Sequence, residues 1–167
     1  ARATGKPGVV LVTSGPGATN TLTGMMTAHM DSVPMIAISG QQIRPMLGKD
    51  AFQEADIFGI TMPVVKHSYL VKETNDIPRI VREAFHITSS GRPGPVVIDV
   101  PKDVSSGPFT GDLSAPMDLP GYSPESTRLD TDAIKAVAEA LNRSKRPVIL
   151  AGHGVLMMGR IGPMMLL

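Results

Sequence analysis

Thr13-Ser14-Gly15-Pro16-Gly17-Ala18-Thr19-Asn20 follows the apolar run Val9-Val10-Leu11-Val12 and leads directly into a helix-like pattern. A buried strand that ends in a Gly-Pro-Gly turn at a helix N-terminus leaves backbone N–H groups free for a cofactor to approach. Gly15, Pro16, Gly17 and Asn20 are therefore candidate cofactor-binding positions. Glycines also sit in strand-to-helix turns simply to relieve backbone strain, so the surrounding sequence has to decide between the two readings.

Working outward, short β-branched runs alternate with helical patterns. The predicted strands are Val9 to Thr13, Pro34 to Ser39, Val64 to Val71 and Pro95 to Val100. Alternation of this kind predicts an α/β fold with a parallel sheet flanked by helices. Ile77, Ile80, Val81, Ala84 and Phe85 recur at helical spacing, with Asn75 or Asp76 available as N-cap and Gly91 just past the end. A first helix is expected from about Thr19 to Asp31, presenting Leu22, Met25, Met26 and His29 along one side. His67 falls in a strand pattern and is expected to be packed or hydrogen-bonded rather than catalytic.

From Asp103 to Arg128 the composition shifts to Ser, Pro, Gly and Asp, and Pro108, Pro116, Pro120 and Pro124 are spaced too closely for a helix or an inner strand. We expect a first domain over 1–103, a linker over 104–128 and the start of a second α/β domain over 129–167. In that second part Ile134, Val137, Ala138 and Leu141 share a helical face. The apolar strand Pro147 to Ala151 and the turn Gly152-His153-Gly154 follow. The Met-rich tail from Met157 to Leu167 shows neither a cap nor a clear period.

Composition narrows the function classes. The 167 residues are 42% hydrophobic and 19% charged, with a formal net charge of +1. That profile fits a globular protein without the basic excess that nucleic-acid binding brings. Cysteine is absent, which excludes disulfides, thiolate metal sites and thiol nucleophiles together. No apolar run approaches the roughly 20 residues of a membrane span, and the opening Ala1-Arg2-Ala3-Thr4-Gly5-Lys6-Pro7 has neither the apolar centre of a signal peptide nor an initiator Met. Neither nucleic acid nor membrane is expected as a partner, and the chain reads as a fragment or processed piece.

Several stretches together carry a family resemblance: Gly5-Lys6-Pro7-Gly8, Thr13 to Asn20, Asp31-Ser32-Val33-Pro34, Ser39-Gly40-Gln41, Asp50-Ala51-Phe52-Gln53-Glu54, Val65-Lys66-His67, Gly91-Arg92-Pro93-Gly94-Pro95 and Asp99-Val100-Pro101-Lys102-Asp103. Dense, ordered and reaching up to Val155, they resemble the large, catalytic subunits of acetolactate synthases, thiamine-diphosphate-dependent enzymes of branched-chain amino-acid synthesis. The resemblance implies that 1–103 is most of a pyrimidine-binding domain and that 129–167 opens a central domain which in this family holds FAD. It implies 2-oxo acid substrates: pyruvate loses CO2 and is joined to a second pyruvate or to 2-oxobutyrate, with the cofactor supplying the difficult chemistry.

Carried over position by position, the resemblance puts Phe52 and Gln53 beside the thiazolium, the ring shaping the substrate pocket and the amide hydrogen-bonding the cofactor or its adduct. Lys102 matches a cation at the active-site entrance that attracts a substrate carboxylate. Arg92 matches an arginine that contacts FAD, its fork suited to phosphate or flavin acceptors. Gly152, His153 and Gly154 match a Gly-Gly-Gly turn at the flavin, where missing side chains admit a pyrophosphate. His153 departs from that pattern, as do Gln42-Ile43, where many members carry Val-Pro, and Lys49, where they carry Thr.

The resemblance also implies that the glutamate acting on the aminopyrimidine lies before Ala1, and that the Gly-Asp-Gly motif holding Mg2+ and diphosphate lies downstream. This chain would then contain no metal ligand, and alone it is expected to be inactive. The whole protein would be a homodimer or higher oligomer, with a possible regulatory small subunit. Its expected location is a bacterial cytoplasm, or a plastid in a plant or alga. Another thiamine-diphosphate enzyme, such as a glyoxylate carboligase or a 2-oxo acid decarboxylase, and a noncatalytic truncated module remain as alternatives.

Overall fold

Apolar strands alternating with helices build one four-stranded parallel sheet in the order β1-β2-β4-β3. The strands are β1 (Gly8–Val12), β2 (Met35–Gln41), β3 (His67–Leu70) and β4 (Pro95–Pro101). This computed structural model describes residues 1–124, 129–152 and 154–155. The chain divides into two compact units, Ala1–Pro124 and Glu125–Leu167. Among the described residues no helix is long and apolar enough to cross a membrane.

Side-chain alternation on β2 and β4 sorts the core of the first unit into two layers. Ile36, Val96 and Ile98 face Ile80, Ala84 and Ile87 of helix α4 (Ile77–Ser89). On the opposite face Ala37 and Val97 meet Ala18 of α1 (Pro16–Thr19), Met25 of α2 (Leu22–Met30) and Ile57 of α3 (Ile57–Thr61). Each fully buried Ile, Val or Met contributes roughly 1.5–3 kcal/mol through removal from water. Both central strands are covered on both faces, which is why Pro95 to Val100 reads as an unbroken apolar run apart from Asp99. Strand β1 sits at the sheet edge and is covered on one face only: Val10 and Val12 pack inward, while Leu11 is 76% exposed.

The parallel α/β architecture and all four strands expected from the sequence are present. The third strand is shorter than predicted, because a turn of 3-10 helix at Met62–Val64, with Pro63 inside it, precedes the extended segment. The first helix differs more. It begins earlier, with Pro16 in its first turn, and is divided at Asn20-Thr21. There the Thr21 amide and hydroxyl both turn to the Ala18 carbonyl (3.0 and 2.6 Å), tightening the helical ladder. Its buried face is Met25 and Ala28 with half-buried Leu22, whereas Met26 is 43% exposed. Helix α4 matches its prediction, with Gly91 at φ 57° two residues beyond Ser89. Lys66 completes this end by donating from Nζ to the carbonyls of Ile87 and Ser90.

Proline-rich residues 106–124 follow the short helix α5 (Lys102–Ser105) and lie along α4 as part of the first unit. Leu119 and Tyr122 pack against the α4 layer of the core. Glu83, fully buried on α4, holds the strap: its carboxylate accepts from the Asp118 amide (2.7 Å), the Tyr69 hydroxyl (3.0 Å) and the Arg79 guanidinium (3.0 Å). The half-buried Tyr69 hydroxyl is raised well above the ordinary phenol range by desolvation and by this carboxylate. Two polar groups of a coil that forms no ladder, the Asp118 amide and the Leu113 carbonyl, are thus met by Glu83 and Arg82 of α4.

In the second unit α6 (Thr131–Arg143) forms as predicted, capped by Asp130, which accepts from the Asp132 and Ala133 amides. The strand expected over Pro147 to Ala151 is not formed. A parallel strand requires a neighbour for its backbone groups, and the described residues of this unit contain no other strand. His153 and the Met-rich tail lie outside the described residues.

Because Glu83 serves three donors in a buried setting, Glu83→Ala should destabilise the first unit by about 3 kcal/mol. Urea unfolding followed by circular dichroism measures this, and a loss under about 1 kcal/mol would show that the strap contributes little.

Candidate functional site

The carboxyl ends of parallel strands in an open α/β sheet are where ligands bind, and the conspicuous loops of this chain gather there. β1 runs out into the Gly15-Pro16-Gly17 turn, β2 into the loop 42–56, and β4 into α5. The turn and the loop meet directly. Gly15 has φ 56°, and a Cβ on it would lie 2.9 Å from the carbonyl carbon of Gln53 and closer still to its oxygen. At Gly17 a Cβ would lie 2.7 Å from the Thr13 methyl, so a side chain there would require Thr13 to shift. Gln53 itself is left-handed at φ 55°, as is Asp50 at 53°, a conformation that costs non-glycine residues of order 1 kcal/mol or more.

Phe52 and Gln53, predicted as a functional pair, therefore stand beside the Gly-Pro-Gly turn across nearly forty residues of sequence. Phe52 is 82% exposed and the Gln53 side chain is also open to solvent. Three contacts hold the loop that carries them. Gln42 donates from Nε2 to the Phe52 carbonyl. Glu54 accepts from the amides of Gly48 and Ala51, which lowers its pKa. Gln41 donates from Nε2 to the Ala55 carbonyl at 2.8 Å.

Beneath the loop, Gln41 also donates to Asp99 Oδ2 (2.9 Å), and Ser39 donates to Asp99 Oδ1 (2.5 Å). Asp99 is 1% exposed. Burial pushes its carboxyl up to about 6, against the opposing effect of the Ser39 and Gln41 hydrogen bonds and with a small further rise from Asp56. A cleft of about 340 Å3 opens over this group, walled by Leu47, Ile57, Phe58 and Leu70 and rimmed by Asp50 and Glu54. Ser39, Gln41 and Asp99 form a buried polar triplet that sequence reasoning did not single out as a site. The available signal was polar residues at alternate positions of apolar strands, but only the register Ser39↔Asp99 shows that they touch.

The other predicted residues are placed as follows. Lys102 is exposed at the end of β4, and among the described residues its ammonium has no partner. Its neighbour Asp103 is held below the ordinary carboxylate range by Arg44, which also reaches the Lys72 carbonyl and Glu73. Asn20 lies at the end of α1, donating its amide to the Pro16 carbonyl (3.1 Å). Arg92 is at the opposite, amino end of the sheet, just before β4. It caps α2, donating from Nη2 to the carbonyls of His29 and Met30 and from Nε to Ser32. Gly152 and Gly154 belong to the second unit, where the Val155 amide donates to the Gly152 carbonyl. His67 is exposed, with its ring edge-on to Tyr69 at 4.3 Å.

An exposed aromatic ring, a primary amide and a side-chain-free turn fit an organic cofactor. The described residues contain no group of three His, Asp or Glu side chains arranged to hold a metal ion. Around Arg92 the guanidinium is already engaged with α2, so no flavin contact is drawn from it.

Residues 1–60 match the model for the N-terminal TPP binding domain of thiamine pyrophosphate enzymes, and the parallel sheet flanked by helices is consistent with such a domain. Within that family the chain is similar to acetolactate synthases. It is 53% identical over 156 residues to the acetolactate synthase of Mycobacterium leprae, covering 93% of this chain and 25% of that protein. Against the acetolactate synthase of Arthrospira platensis it is 52% identical over 161 residues, 95% of this chain and 28% of that one. The acetolactate synthase large subunit of Porphyra purpurea is 52% identical over 157 residues, 93% and 26% respectively. The chain thus spans about a quarter of the length of the curated relatives it matches.

Two measurements follow from this geometry. Gly15→Ala cannot keep both the turn and the loop where they are, and should destabilise the first unit by about 2 kcal/mol while exposing the Phe52 loop to proteolysis. Thermal unfolding with limited proteolysis reads both effects. For Asp99, the buried carboxyl binds its proton more tightly folded than unfolded, so its contribution to stability is full below pH 3.8 and is lost as the pH rises through about 6. That rise corresponds to on the order of 3 kcal/mol. The difference in stability between the parent chain and Asp99→Asn should therefore change by this order between pH 3.5 and 7, and a flat difference would refute the shift.

Proposed function

We propose that this chain forms the pyrimidine-side part of an acetolactate synthase large subunit. The whole protein would condense pyruvate with a second pyruvate or with 2-oxobutyrate, releasing CO2, in branched-chain amino-acid synthesis. The observation that carries the reading is the junction of the Gly15-Pro16-Gly17 turn with the Phe52-Gln53 loop at the carboxyl edge of the sheet.

Thiamine diphosphate, when bound, supplies the carbanion-stabilising chemistry of decarboxylation and carbon–carbon bond formation. The residues of this chain would orient and desolvate. Phe52 offers an apolar wall that excludes water from the reacting carbon, and Gln53 offers an amide that can donate to or accept from the cofactor side of the pocket. Lys102, an unpaired cation at the end of β4, would draw in the carboxylate of a 2-oxo acid. Asn20, at the end of the turn helix, would help shape the cofactor cradle.

For the whole protein we further propose Mg2+, with ligands outside this chain, and FAD held partly by the second unit through Gly152, His153 and Gly154. The assembly would be a homodimer or higher oligomer, served by a regulatory small subunit, in a bacterial cytoplasm or an algal or plant plastid. The 167-residue chain alone would form no acetolactate.

Exchange of the matching segment in the Arthrospira platensis acetolactate synthase for residues 1–155 of this chain tests the reading. The chimera should form acetolactate within about tenfold of its parent, and Gln53→Ala within it should lower kcat/KM about 100-fold. A folded chimera without activity would overturn the assignment.

A further inference from the structure

Ser39 and Asp99 are register partners on adjacent strands, and Gln41 lies two residues further along β2, so all three side chains occupy one face of the sheet. On that face the loop 42–56 descends into α3. The Gln41 amide is fully used. Its Nε2 donates to both Asp99 Oδ2 and the Ala55 carbonyl, and its Oε1 accepts from the Gln42 amide at 2.9 Å.

This arrangement fixes the sense of the amide. Turned over, Gln41 would set its oxygen against two acceptors, the Asp99 carboxylate and the Ala55 carbonyl. Asp99 in turn is held from the other side by Ser39. Ala55 lies two residues beyond Gln53, and the Gln53 carbonyl is the atom that Gly15 accommodates. A rigid strand pair is thereby connected to the left-handed backbone of Gln53 through one amide and one carbonyl.

We propose that Asp99 and Gln41 act as a positioning relay that seats the Phe52-Gln53 loop against the Gly15-Pro16-Gly17 turn. Neither residue is assigned contact with substrate or cofactor. The Asp99 carboxylate orients Gln41, Gln41 anchors Ala55, and the anchored loop presents Phe52 and Gln53. The inference rests on the reading of that pair as functional, but the relay can be measured without cofactor.

The loop provides its own reporters, because the amides of Gly48, Ala51, Glu54 and Ile57 are all hydrogen-bonded within it. Hydrogen exchange by mass spectrometry on the full 167-residue chain compares the parent with Gln41→Leu, Asp99→Ala and Asp99→Asn. Residues 48–57 should exchange about tenfold faster or more in Gln41→Leu and Asp99→Ala, while β2 and β4 keep their protection. Asp99→Asn should restore the parent rate. Its carbonyl still accepts from Gln41, and the Ser39 hydroxyl can rotate to accept from the new amide.

Unchanged loop exchange in Gln41→Leu would overturn the relay, as would equal acceleration across β2 and β4, the signature of a general loss of stability. Failure of Asp99→Asn to restore protection would also overturn it. Gln41→Leu, at the rim of the sheet, keeps the test intact if Asp99→Ala does not fold. Inactivity of the chimera would refute the cofactor reading and leave this exchange pattern standing.

Discussion

Parallel pairing of β2 with β4 is the constraint from which the rest of the first unit follows. Its register, Met35↔Pro95 through Gln41↔Pro101, is pinned at both ends by buried polar groups. At the amino end the Thr88 hydroxyl accepts from the Met35 amide (2.8 Å) and donates to the Gly94 carbonyl (2.6 Å), tying α4 to the start of both strands. At the carboxyl end Asp99 binds Ser39 and Gln41. A slip of one residue would turn either Ile36 or the pair Val96 and Ile98 away from α4 and would separate both polar clusters at once. Apolar burial gives this sheet its stability, and the two polar clusters give it one register.

That register explains which parts of the molecule were legible from sequence. The alternation of apolar runs and helical periods, the cap glycine Gly91 and the Gly-Pro-Gly turn are local signals, and in the first unit the strands and helices they predict are present, whereas the strand expected over Pro147 to Ala151 is not. The division of the first helix at Thr21 depends on one hydroxyl competing for one carbonyl, which no hydropathy pattern records. The proline-rich composition read over Asp103 to Arg128 gave no sign of helix α5 at its start, nor that Glu83 and the α4 core would hold the coil that follows. Of the site, Phe52, Gln53, Gly15 and Gly17 were legible through motif resemblance. Ser39, Gln41 and Asp99 were not, because their contact is a property of pairing between segments 60 residues apart.

Electrostatics divides the carboxylates into two groups. Asp112 is exposed and Glu54 and Asp103 are half-buried; all three receive backbone or side-chain donors, so their charged forms are favoured. Asp99 is buried, and desolvation outweighs its two donors. Acidification therefore acts in opposite senses: it weakens the contacts that Glu54 and Asp103 make at the loop surface, while it relieves the buried charge beneath them. The loop carrying Phe52 and Gln53 lies between these two layers, attached above through Glu54 and below through Gln41.

Resemblance to a family identifies positions, whereas geometry decides which atoms at those positions remain free. Lys66 and Arg92 both fall in matched stretches, yet each spends its donors on the carbonyl end of a helix, Lys66 on α4 and Arg92 on α2. Glu54 likewise spends both carboxylate oxygens on its own loop. What these engaged residues leave available at the carboxyl edge of the sheet is the Phe52 ring, the Gln53 amide and the Lys102 ammonium. On the reading proposed above, the ring would serve as a wall, the amide as a hydrogen-bonding group and the ammonium as the attraction for a carboxylate. Glu54 holds the loop of this set, while Lys66 and Arg92 tie helices to the amino end of the sheet.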